Sequence, residues 1–237
     1  MQTVILAGGL GSRLSEETHM IPKPMVTIGS IPIITHIIRW YRGFEIREFV
    51  ISTGYKSEVI HSYFSREFQK REGVQVTCIN TGLNTNTGGR ILNLSVNLDD
   101  TFLVTYGDGL ANVDVSQTIL EHSLSQKIGL VTAVRPPARF GALDLDGNVV
   151  RSFREKSPND AGWINGGFFV FKKTILNFID NENETLEGGA LTKLASKNHL
   201  IAHRHYGWWH PMDTLRDKKE LERLWLSGMA PWCNSSV

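Results

Sequence analysis

The stretch of this sequence with the clearest chemical potential is a glycine-rich loop near its start. Residues 6–14 read LAGGLGSRL, and residues 22–24 read PKP. Glycines let backbone N–H groups approach a phosphate closely and adopt conformations closed to other residues. Arg13 can bind phosphate oxygens through a two-pronged contact, and Lys23, stiffened by flanking prolines, adds a point charge. The combination predicts a polyphosphate-binding loop.

Other interpretations of this loop fit the residues less well. A Gly-x-Gly pattern alone often marks only a tight turn. A dinucleotide-binding turn would need glycine where Leu14 stands, and a Walker-type loop would need a Gly-Lys-Ser/Thr sequence that the segment lacks. The glycines together with the Ser12 hydroxyl, Arg13 and Lys23 are therefore a more specific sign of polyphosphate binding than the glycines alone.

Two aspartates are candidates for holding a divalent cation. Asp108 lies between two glycines, and Asp213 lies far along the chain. Mg²⁺ is commonly held by one or two carboxylates together with substrate phosphate oxygens and water. The ordinary alternatives are a turn aspartate at position 108 and an N-cap at position 213, before a predicted helix that begins near Leu215. Residue type alone favours capping for Asp213.

Polar residues of the second half could bind a sugar phosphate. Glu155 and Asn165 offer partners for ring hydroxyls, and Lys156 offers a charge for a phosphate, although a solvated Glu-Lys pair and a turn asparagine are the ordinary alternative. His203 and His205 share a face of a predicted strand, but no third metal ligand is evident, which favours surface or core histidines. The pair Trp208-Trp209 could stack on a base or sugar, but most such aromatic residues serve packing.

The composition limits the class of protein. The chain has 237 residues, 41% of them hydrophobic and 21% charged, which excludes a disordered chain, a collagen and a coiled coil. Its 25 Lys and Arg against 24 Asp and Glu give no electrostatic reason to expect a nucleic acid or a membrane as partner. Two distant cysteines argue against a disulfide scaffold or a cysteine zinc site. No signal peptide or membrane span is evident, so we expect a cytoplasmic protein.

Strands and helices alternate in the first half. Strands are predicted at residues 3–7, 48–53, 74–79 and 101–106, and helices at residues 32–41, 57–68 and 89–97. This order predicts right-handed βαβ units and a parallel sheet that binds ligands at the carboxyl ends of its strands. The glycine-rich turns at residues 8–11 and 107–109 fall at those ends.

The second half is predicted to be richer in strands. Strands are expected at residues 128–134, 142–145, 149–153 and 166–171, and helices at residues 173–179, 189–196 and 215–226. We predict one α/β domain over residues 1–237, with a Rossmann-like mixed, mainly parallel sheet flanked by helices. Residues 1–110 would form the nucleotide half. Residues 111–237 would form the sugar-phosphate half, as a smaller β-rich extension that covers the substrate side.

The loop resembles the pattern of the sugar-phosphate nucleotidylyltransferases, Gly-Gly-x-Gly-Thr/Ser-Arg-Leu followed by Pro-Lys-Pro, and in particular their glucose-1-phosphate cytidylyltransferase branch. Further matching motifs follow in the same order along nearly the whole chain: TGGR (87–90), TYGDG (105–109), RFGAL (139–143), SFREK (152–156), INGGFF (164–169) and PMDTLRD (211–217). Ser12 replaces the usual threonine but keeps the hydroxyl. The segment between Tyr63 and Thr87 is shorter than in that branch, which leaves its role open.

The resemblance implies transfer of CMP from CTP to a sugar 1-phosphate, with α-D-glucose 1-phosphate as the expected acceptor and Mg²⁺ as cofactor. It implies Arg13 and Lys23 as catalytic residues and Asp108 and Asp213 as metal ligands. The residues implied for the nucleotide are Leu6, Ala7, Gly8, Gly9, Gly11, Ser12, Arg13, Lys23, Thr87, Gly88, Gly89, Arg90 and Asp108. Those implied for the sugar phosphate are Gly141, Glu155, Lys156, Asn165 and Gly166.

The resemblance also implies a homo-oligomer and a place in nucleotide-sugar and lipopolysaccharide biosynthesis. Neither a nucleic acid nor a membrane is expected as partner, because of the charge balance given above. Three alternatives stay open: another phosphorylated acceptor such as a heptose phosphate or a non-sugar phosphate, thymidylyl or uridylyl transfer, and a non-catalytic nucleotide-sensing module. The joint presence of Arg13, Lys23, Asp108 and Asp213 argues against the last.

Overall fold

The computed structural model describes residues 1–136, 142–154 and 162–233. Its strands are β1 (Gln2–Leu6), β2 (Thr27–Ile28), β3 (Ile31–Pro32), β4 (Glu48–Thr53), β5 (Gln75–Asn80), β6 (Thr101–Tyr106), β7 (Gly109–Ala111), β8 (Gly129–Val134), β9 (Ala142–Asp146), β10 (Val149–Arg154), β11 (Ile164–Lys172), β12 (Leu200–Arg204) and β13 (Trp209–Pro211). Its α-helices are α1 (Ser15–Thr18), α2 (Ile33–Arg42), α3 (Ser57–Tyr63), α4 (Arg66–Glu72), α5 (Thr87–Asn93), α6 (Val115–Ser125), α7 (Thr192–Ser196) and α8 (Leu215–Leu226).

A seven-stranded sheet forms the centre, in the order β12-β8-β11-β6-β1-β4-β5. Strand β11 runs antiparallel to both of its neighbours, and the other six strands run parallel to one another. The predicted Rossmann-like, mainly parallel sheet is therefore confirmed. At the carboxyl end of β1, Leu6 lies opposite Ser52 of β4 and Tyr106 of β6, so the loops that follow these strands meet at one edge.

Both faces of the sheet are buried by apolar side chains. Along β1, Ile5 belongs to one hydrophobic cluster, while Val4 and Leu6 belong to the other. The same alternation places Leu103 of β6 in the first cluster and Val104 in the second. Successive side chains of a strand point to opposite faces, so helices must cover both sides of the sheet. This double layer fixes the strand ends that carry the glycine-rich turns.

The second half contributes strands to the same sheet. Strands β8, β11 and β12 extend it beyond β6, while β9 and β10 form a separate hairpin. The predicted helix at residues 173–179 is a 3-10 helix, Lys173–Phe178. The predicted helix at residues 189–196 begins earlier, as the π-helical segment Leu186–Leu191, and continues as α7.

One helix prediction was wrong, and one helix was missed. The helix expected over residues 57–68 is two helices, because Phe64 leaves the helical conformation and the Ser65 side chain accepts a hydrogen bond from the backbone N–H of Phe68, which starts α4. Helix α6 was not predicted. Within the described residues, no helix has both the length and the apolar character that crossing a bilayer requires.

Candidate active site

A cavity of about 510 Å³ opens at the carboxyl edge of the parallel strands. The site residues predicted from sequence that line it are Leu6, Ala7, Gly8, Gly9, Gly11, Ser12, Lys23, Thr87, Arg90, Asp108, Asn165, Gly166 and Asp213. These residues come from distant parts of the chain, and the sheet brings them to one place. The cavity is lined by groups suited to phosphates, to a cation and to neutral polar ligands.

Close packing determines the shape of the glycine-rich loop. A Cβ atom on Gly8 would lie 2.0 Å from a guanidinium nitrogen of Arg90, so only glycine fits there. Gly11 has a φ of +67°, and a Cβ atom there would approach Thr18 to 2.9 Å. The Thr18 hydroxyl in turn donates to the carbonyls of Gly11 and Leu14 at 3.1 and 3.0 Å. These contacts within the protein hold the loop in one conformation without the help of a ligand.

Arg90 supports this loop from behind. Its guanidinium donates to the carbonyls of Gly8, Thr53 and Gly82 at 2.9, 3.0 and 3.0 Å, and to the Thr81 hydroxyl at 2.8 Å. Only 4% of the residue is exposed, and burial lowers the pKa of the guanidinium. The hydrogen bonds of Arg90 are therefore directed to three backbone carbonyls and one hydroxyl, and of these partners Gly8 lines the cavity. A direct contact with the nucleotide stays a prediction.

Gly88 and Gly89 are not among the described residues that line the cavity. They pack against the segment of residues 181–187. The Gly88 N–H donates to the carbonyl of Glu184 at 3.0 Å, and a Cβ atom on Gly89 would lie 2.1 Å from the carbonyl of Glu182. The geometry gives these two glycines a role in docking α5 onto that segment, and their role in nucleotide binding stays a prediction.

Lys23, Asp108 and Asp213 form an ionic cluster on the cavity wall. The Lys23 ammonium lies 2.7 Å from one carboxylate oxygen of each aspartate. Its side chain is 8% exposed, while those of Asp108 and Asp213 are 30% and 22% exposed. A short 3-10 helix, Lys23–Met25, positions the lysine. The carboxylates are therefore near enough to each other to share one cation.

Backbone pairing brings the two aspartates together. Strands β7 and β13 run antiparallel with Gly109 opposite Pro211, and the N–H of Met212 donates to the carbonyl of Asp108 at 2.8 Å. Thr214, not Asp213, caps α8, because its hydroxyl accepts from the N–H of Asp217 in a reciprocal capping box. The capping role considered for Asp213 is thus wrong, and its carboxylate instead contacts Lys23.

These two carboxylates fit a divalent cation that is shared with a substrate. A single positive group already lies within 2.7 Å of both, which shows that their spacing suits one cation. In the described part of the chain, no group of three or more Asp, Glu, His or Cys side chains is arranged to hold a metal. Phosphate oxygens and water would have to supply the other ligands, as is usual for Mg²⁺.

Asn165, Gly166 and Trp209 line another part of the cavity. The Trp209 indole N–H donates to the carbonyl of Gly166 at 2.7 Å, which fixes the ring at the cavity wall. Trp208, in contrast, stacks on Trp232 with ring centroids 5.1 Å apart and serves packing. The sequence singled out both tryptophans but could not separate their roles.

His203 and His205 have partners that are not metals. His203 Nδ1 lies 2.9 Å from a carboxylate oxygen of Glu121, and His205 Nε2 lies 3.1 Å from the side-chain oxygen of Asn112. Burial also lowers the pKa of His205. The preference for structural histidines agrees with these contacts.

Tyr106 and Glu187 are lining residues that sequence reasoning missed. The Tyr106 hydroxyl donates to Glu187, and Asn165 Nδ2 lies 3.4 Å from the same hydroxyl. Burial and the nearby carboxylate raise the pKa of Tyr106, so its hydroxyl keeps its proton. Tyr106 precedes the Gly107-Asp108-Gly109 turn and could have been included with it. No local pattern marks Glu187, which reaches the cavity only through the tertiary fold.

Some predicted residues lie outside the described residues, namely Gly141, Glu155 and Lys156, as does the side chain of Arg13. Their roles stay predictions.

Comparison with known proteins identifies the family. A family model described as nucleotidyl transferase matches residues 2–214, which is most of the chain. The chain belongs to the nucleotidyl transferase family. This nucleotidyl transferase is 46% identical to the glucose-1-phosphate cytidylyltransferase of Salmonella typhi, over 98% of each chain. It is 36% identical to a Bacillus subtilis protein named "Probable glucose-1-phosphate cytidylyltransferase", over 98% of this chain and 99% of the relative.

A solved structure supports the same fold. HddC from Yersinia pseudotuberculosis, crystallised with GMP-PN, matches this nucleotidyl transferase with a TM-score of 0.74 and 25% identity, over 94% of this chain and 99% of the other. The expected enzyme class is therefore confirmed. Enzymes of the family generally use a divalent metal.

Proposed function

We propose that the protein transfers CMP from CTP to α-D-glucose 1-phosphate and releases pyrophosphate and CDP-glucose. The observation that carries the proposal is the full-length similarity, at 46% identity, to the Salmonella typhi cytidylyltransferase. The cavity supports it, since a glycine-rich loop, a buried lysine and two carboxylates line the same space.

The reaction is a direct displacement at phosphorus. An oxygen of the sugar phosphate attacks the α-phosphorus of CTP and forms the new P–O bond. The bond from the α-phosphorus to the oxygen that bridges to the β-phosphate breaks, and its electron pair leaves with pyrophosphate. Because the nucleophile is already an anion, no covalent enzyme intermediate is needed. Catalysis then consists of positioning and charge neutralisation.

The residues of the first loop hold the triphosphate. Gly9, Gly11 and Ser12 line the cavity, and their backbone N–H groups would bind the phosphates. Lys23 supplies a positive charge on a side chain that is only 8% exposed. Arg13 would add a second charge. Charge on the leaving pyrophosphate grows as the bond breaks, so these groups act most strongly in the transition state.

Asp108 and Asp213 would hold Mg²⁺, which would neutralise charge on the α-phosphate. Asn165 and Gly166 would contact the sugar ring, with Glu155 and Gly141 beside them and Lys156 on the acceptor phosphate. Thr87 and the start of α5 would lie near the base. We further propose that the protein acts as a homo-oligomer, as the resemblance to the family implies, and that it acts in the cytoplasm.

A pyrophosphate-release screen tests this function. CTP, UTP, dTTP and GTP would each be offered with glucose 1-phosphate, mannose 1-phosphate and a heptose 1-phosphate. We expect CTP with glucose 1-phosphate to lead in kcat/KM by at least about tenfold, which is about 1.4 kcal/mol of transition-state preference. Equal or better turnover with another nucleotide or acceptor would reject the proposed substrate pair.

A further inference from the structure

Glu187 is an acidic residue of the cavity that has no cation as partner among the described residues. One of its carboxylate oxygens accepts a hydrogen bond from the Thr87 hydroxyl at 2.9 Å, and the other accepts from the Tyr106 hydroxyl. Asp108 and Asp213, in contrast, share the Lys23 ammonium. Within the described residues, Glu187 therefore places a carboxylate with no cationic partner in a cavity that is proposed to bind two anionic substrates.

Both partner hydroxyls hold the carboxylate in place. The Thr87 hydroxyl donates to Glu187 and accepts from the backbone N–H of Leu186 at 2.8 Å, so both of its roles are used. The Tyr106 hydroxyl is protonated, because burial and Glu187 itself raise its pKa. A fixed carboxylate whose oxygens retain unused lone pairs can accept a hydrogen bond from a ligand.

The ligand group that meets Glu187 must be a donor and cannot be a phosphate. A carboxylate accepts hydrogen bonds and repels other anions, so it belongs beside the base or the sugar. The Tyr106 hydroxyl lies between Glu187 and Asn165, which separates the carboxylate from the part of the cavity lined by Asn165 and Gly166. The other contact of Glu187 is Thr87, in the first turn of α5, where the base is expected.

We propose that Glu187 determines the choice of base by accepting a hydrogen bond from the exocyclic amino group of cytosine. Cytosine presents an N–H donor at position 4, and a carboxylate is a suitable acceptor for it. Uracil and thymine present a carbonyl oxygen at that position. A carbonyl oxygen and a carboxylate are both acceptors, so they cannot form a hydrogen bond with each other. The inference rests on the proposed cytidylyl transfer and names the residue that selects CTP.

The first test exchanges the acceptor for an amide. In Glu187→Gln the side chain can offer either a carbonyl or an N–H₂ group, so it no longer distinguishes cytosine from uracil. We expect the ratio of kcat/KM for CTP to that for UTP to fall by about tenfold or more, with the KM for glucose 1-phosphate unchanged. Glu182→Gln is the matched control, since Glu182 lies in the same segment but is not a lining residue, and its ratio should equal that of the unsubstituted protein.

The second test uses the unsubstituted protein, so it does not depend on the folding of a variant. The ribonucleoside triphosphate of 2-pyrimidinone is CTP without the 4-amino group. Its kcat/KM should be about tenfold or more below that of CTP, and Glu187→Gln should lose most of that difference.

Three results would overturn the inference. If Glu187→Gln folds and its ratio of kcat/KM for CTP to that for UTP is unchanged, Glu187 does not select the base. If only the KM for glucose 1-phosphate changes, Glu187 contacts the sugar instead. Equal kcat/KM values for CTP and the 2-pyrimidinone nucleotide would show that the protein does not recognise the amino group. In each case the proposed function stands if the unsubstituted protein prefers CTP over UTP. If the unsubstituted protein shows no such preference, both proposals are rejected.

Discussion

Lys23 contacts the same two carboxylates that are proposed to bind the cation. Its ammonium lies 2.7 Å from an oxygen of Asp108 and 2.7 Å from an oxygen of Asp213. An ammonium and a divalent cation repel each other and compete for these oxygens. A triphosphate bound to the glycine-rich loop offers Lys23 other anionic partners. We therefore expect binding of the nucleotide and binding of the metal to favour each other.

Lys23→Met should separate these two effects. Without the ammonium, Mg²⁺ no longer competes with a positive group for the oxygens of the two carboxylates. The affinity of the nucleotide-free protein for Mg²⁺ should therefore rise by about tenfold or more. The same change should lower kcat by an amount equivalent to about 2 to 4 kcal/mol, because a charge that stabilises the leaving group is lost. Isothermal titration with MgCl₂ and steady-state kinetics measure the two quantities.

Lys218→Met provides the control for that experiment, because Lys218 pairs with Glu17 at 2.6 Å and is not a lining residue of the cavity. It should leave the Mg²⁺ affinity unchanged. Weaker or unchanged Mg²⁺ binding by Lys23→Met would contradict the competition between the lysine and the metal.

The start of helix α8 holds Asp213 in position. The Asp217 carboxylate accepts from the N–H groups of Asp213 and Thr214 at 3.1 and 2.8 Å, and the Thr214 hydroxyl accepts from the N–H of Asp217 at 3.2 Å. The helix cap thus also orients the backbone of a proposed metal ligand.

Thr214→Ala should therefore affect both stability and metal use. Loss of the cap costs about 1 kcal/mol in the free energy of unfolding, which lowers the Tm by about 2 to 4 °C for a chain of this size. The Mg²⁺ concentration for half-maximal activity should rise. Thr214→Ser keeps the hydroxyl and should behave like the unsubstituted protein in both assays. An unchanged Tm and Mg²⁺ requirement in Thr214→Ala would show that this cap does not support Asp213.

Strands could be predicted from the sequence more accurately than helices. The runs at Glu48–Thr53 and Thr101–Tyr106 are apolar, bounded by polar or glycine residues, and match the observed strands. Helix α6 was missed because its apolar pattern misleads: Leu120 and Leu124 are exposed, while Thr118 and His122 are buried. Periodicity depends on apolar residues facing the core, and here part of the core face is polar.

The site was predictable where its chemistry is local and not where it depends on the tertiary fold. The glycine-rich loop and Lys23 are contiguous in sequence, and their residue types indicate phosphate binding. Glu187 makes its contact with a residue 100 positions away, so no spacing in the sequence could reveal it. Arg90 was expected at the nucleotide and does line the cavity, but the hydrogen bond from its guanidinium to the carbonyl of Gly8 depends on the tertiary fold and could not be predicted from the sequence.

At the scale of the whole molecule, buried neutral histidines couple stability to pH. His36 donates from Nε2 to the carbonyl of Ile28 at 3.0 Å and accepts at Nδ1 from the Trp232 indole N–H at 3.2 Å, so the neutral ring satisfies both contacts. Burial lowers the pKa of His36, with a smaller effect from Arg39. Burial also lowers the pKa values of His122 and His205.

The free energy of unfolding should therefore fall below pH 6.5. Each of these histidines binds a proton more readily in the unfolded chain, where its pKa is near 6.5, than in the folded protein. The stability they support is fully present above that pH. Below it, stability is lost by up to about 1.4 kcal/mol per pH unit for each histidine, until the lowered folded pKa is reached.

Urea unfolding at pH 7.5, 6.5 and 5.5 measures this slope. His122→Gln should flatten it, whereas His19→Gln, at an exposed position, should leave it unchanged. Stability that stays constant or increases on acidification would contradict the contribution of the buried histidines.

The central claim is that a glucose 1-phosphate oxygen attacks the α-phosphorus of CTP in this cavity. ³¹P NMR of a reaction with CTP and glucose 1-phosphate labelled with ¹⁸O in its non-bridging phosphate oxygens tests it directly. We predict CDP-glucose with ¹⁸O in the bridge between its two phosphorus atoms, and an equal amount of unlabelled pyrophosphate. Failure to form CDP-glucose, or CDP-glucose with an unlabelled bridge, would contradict the claim.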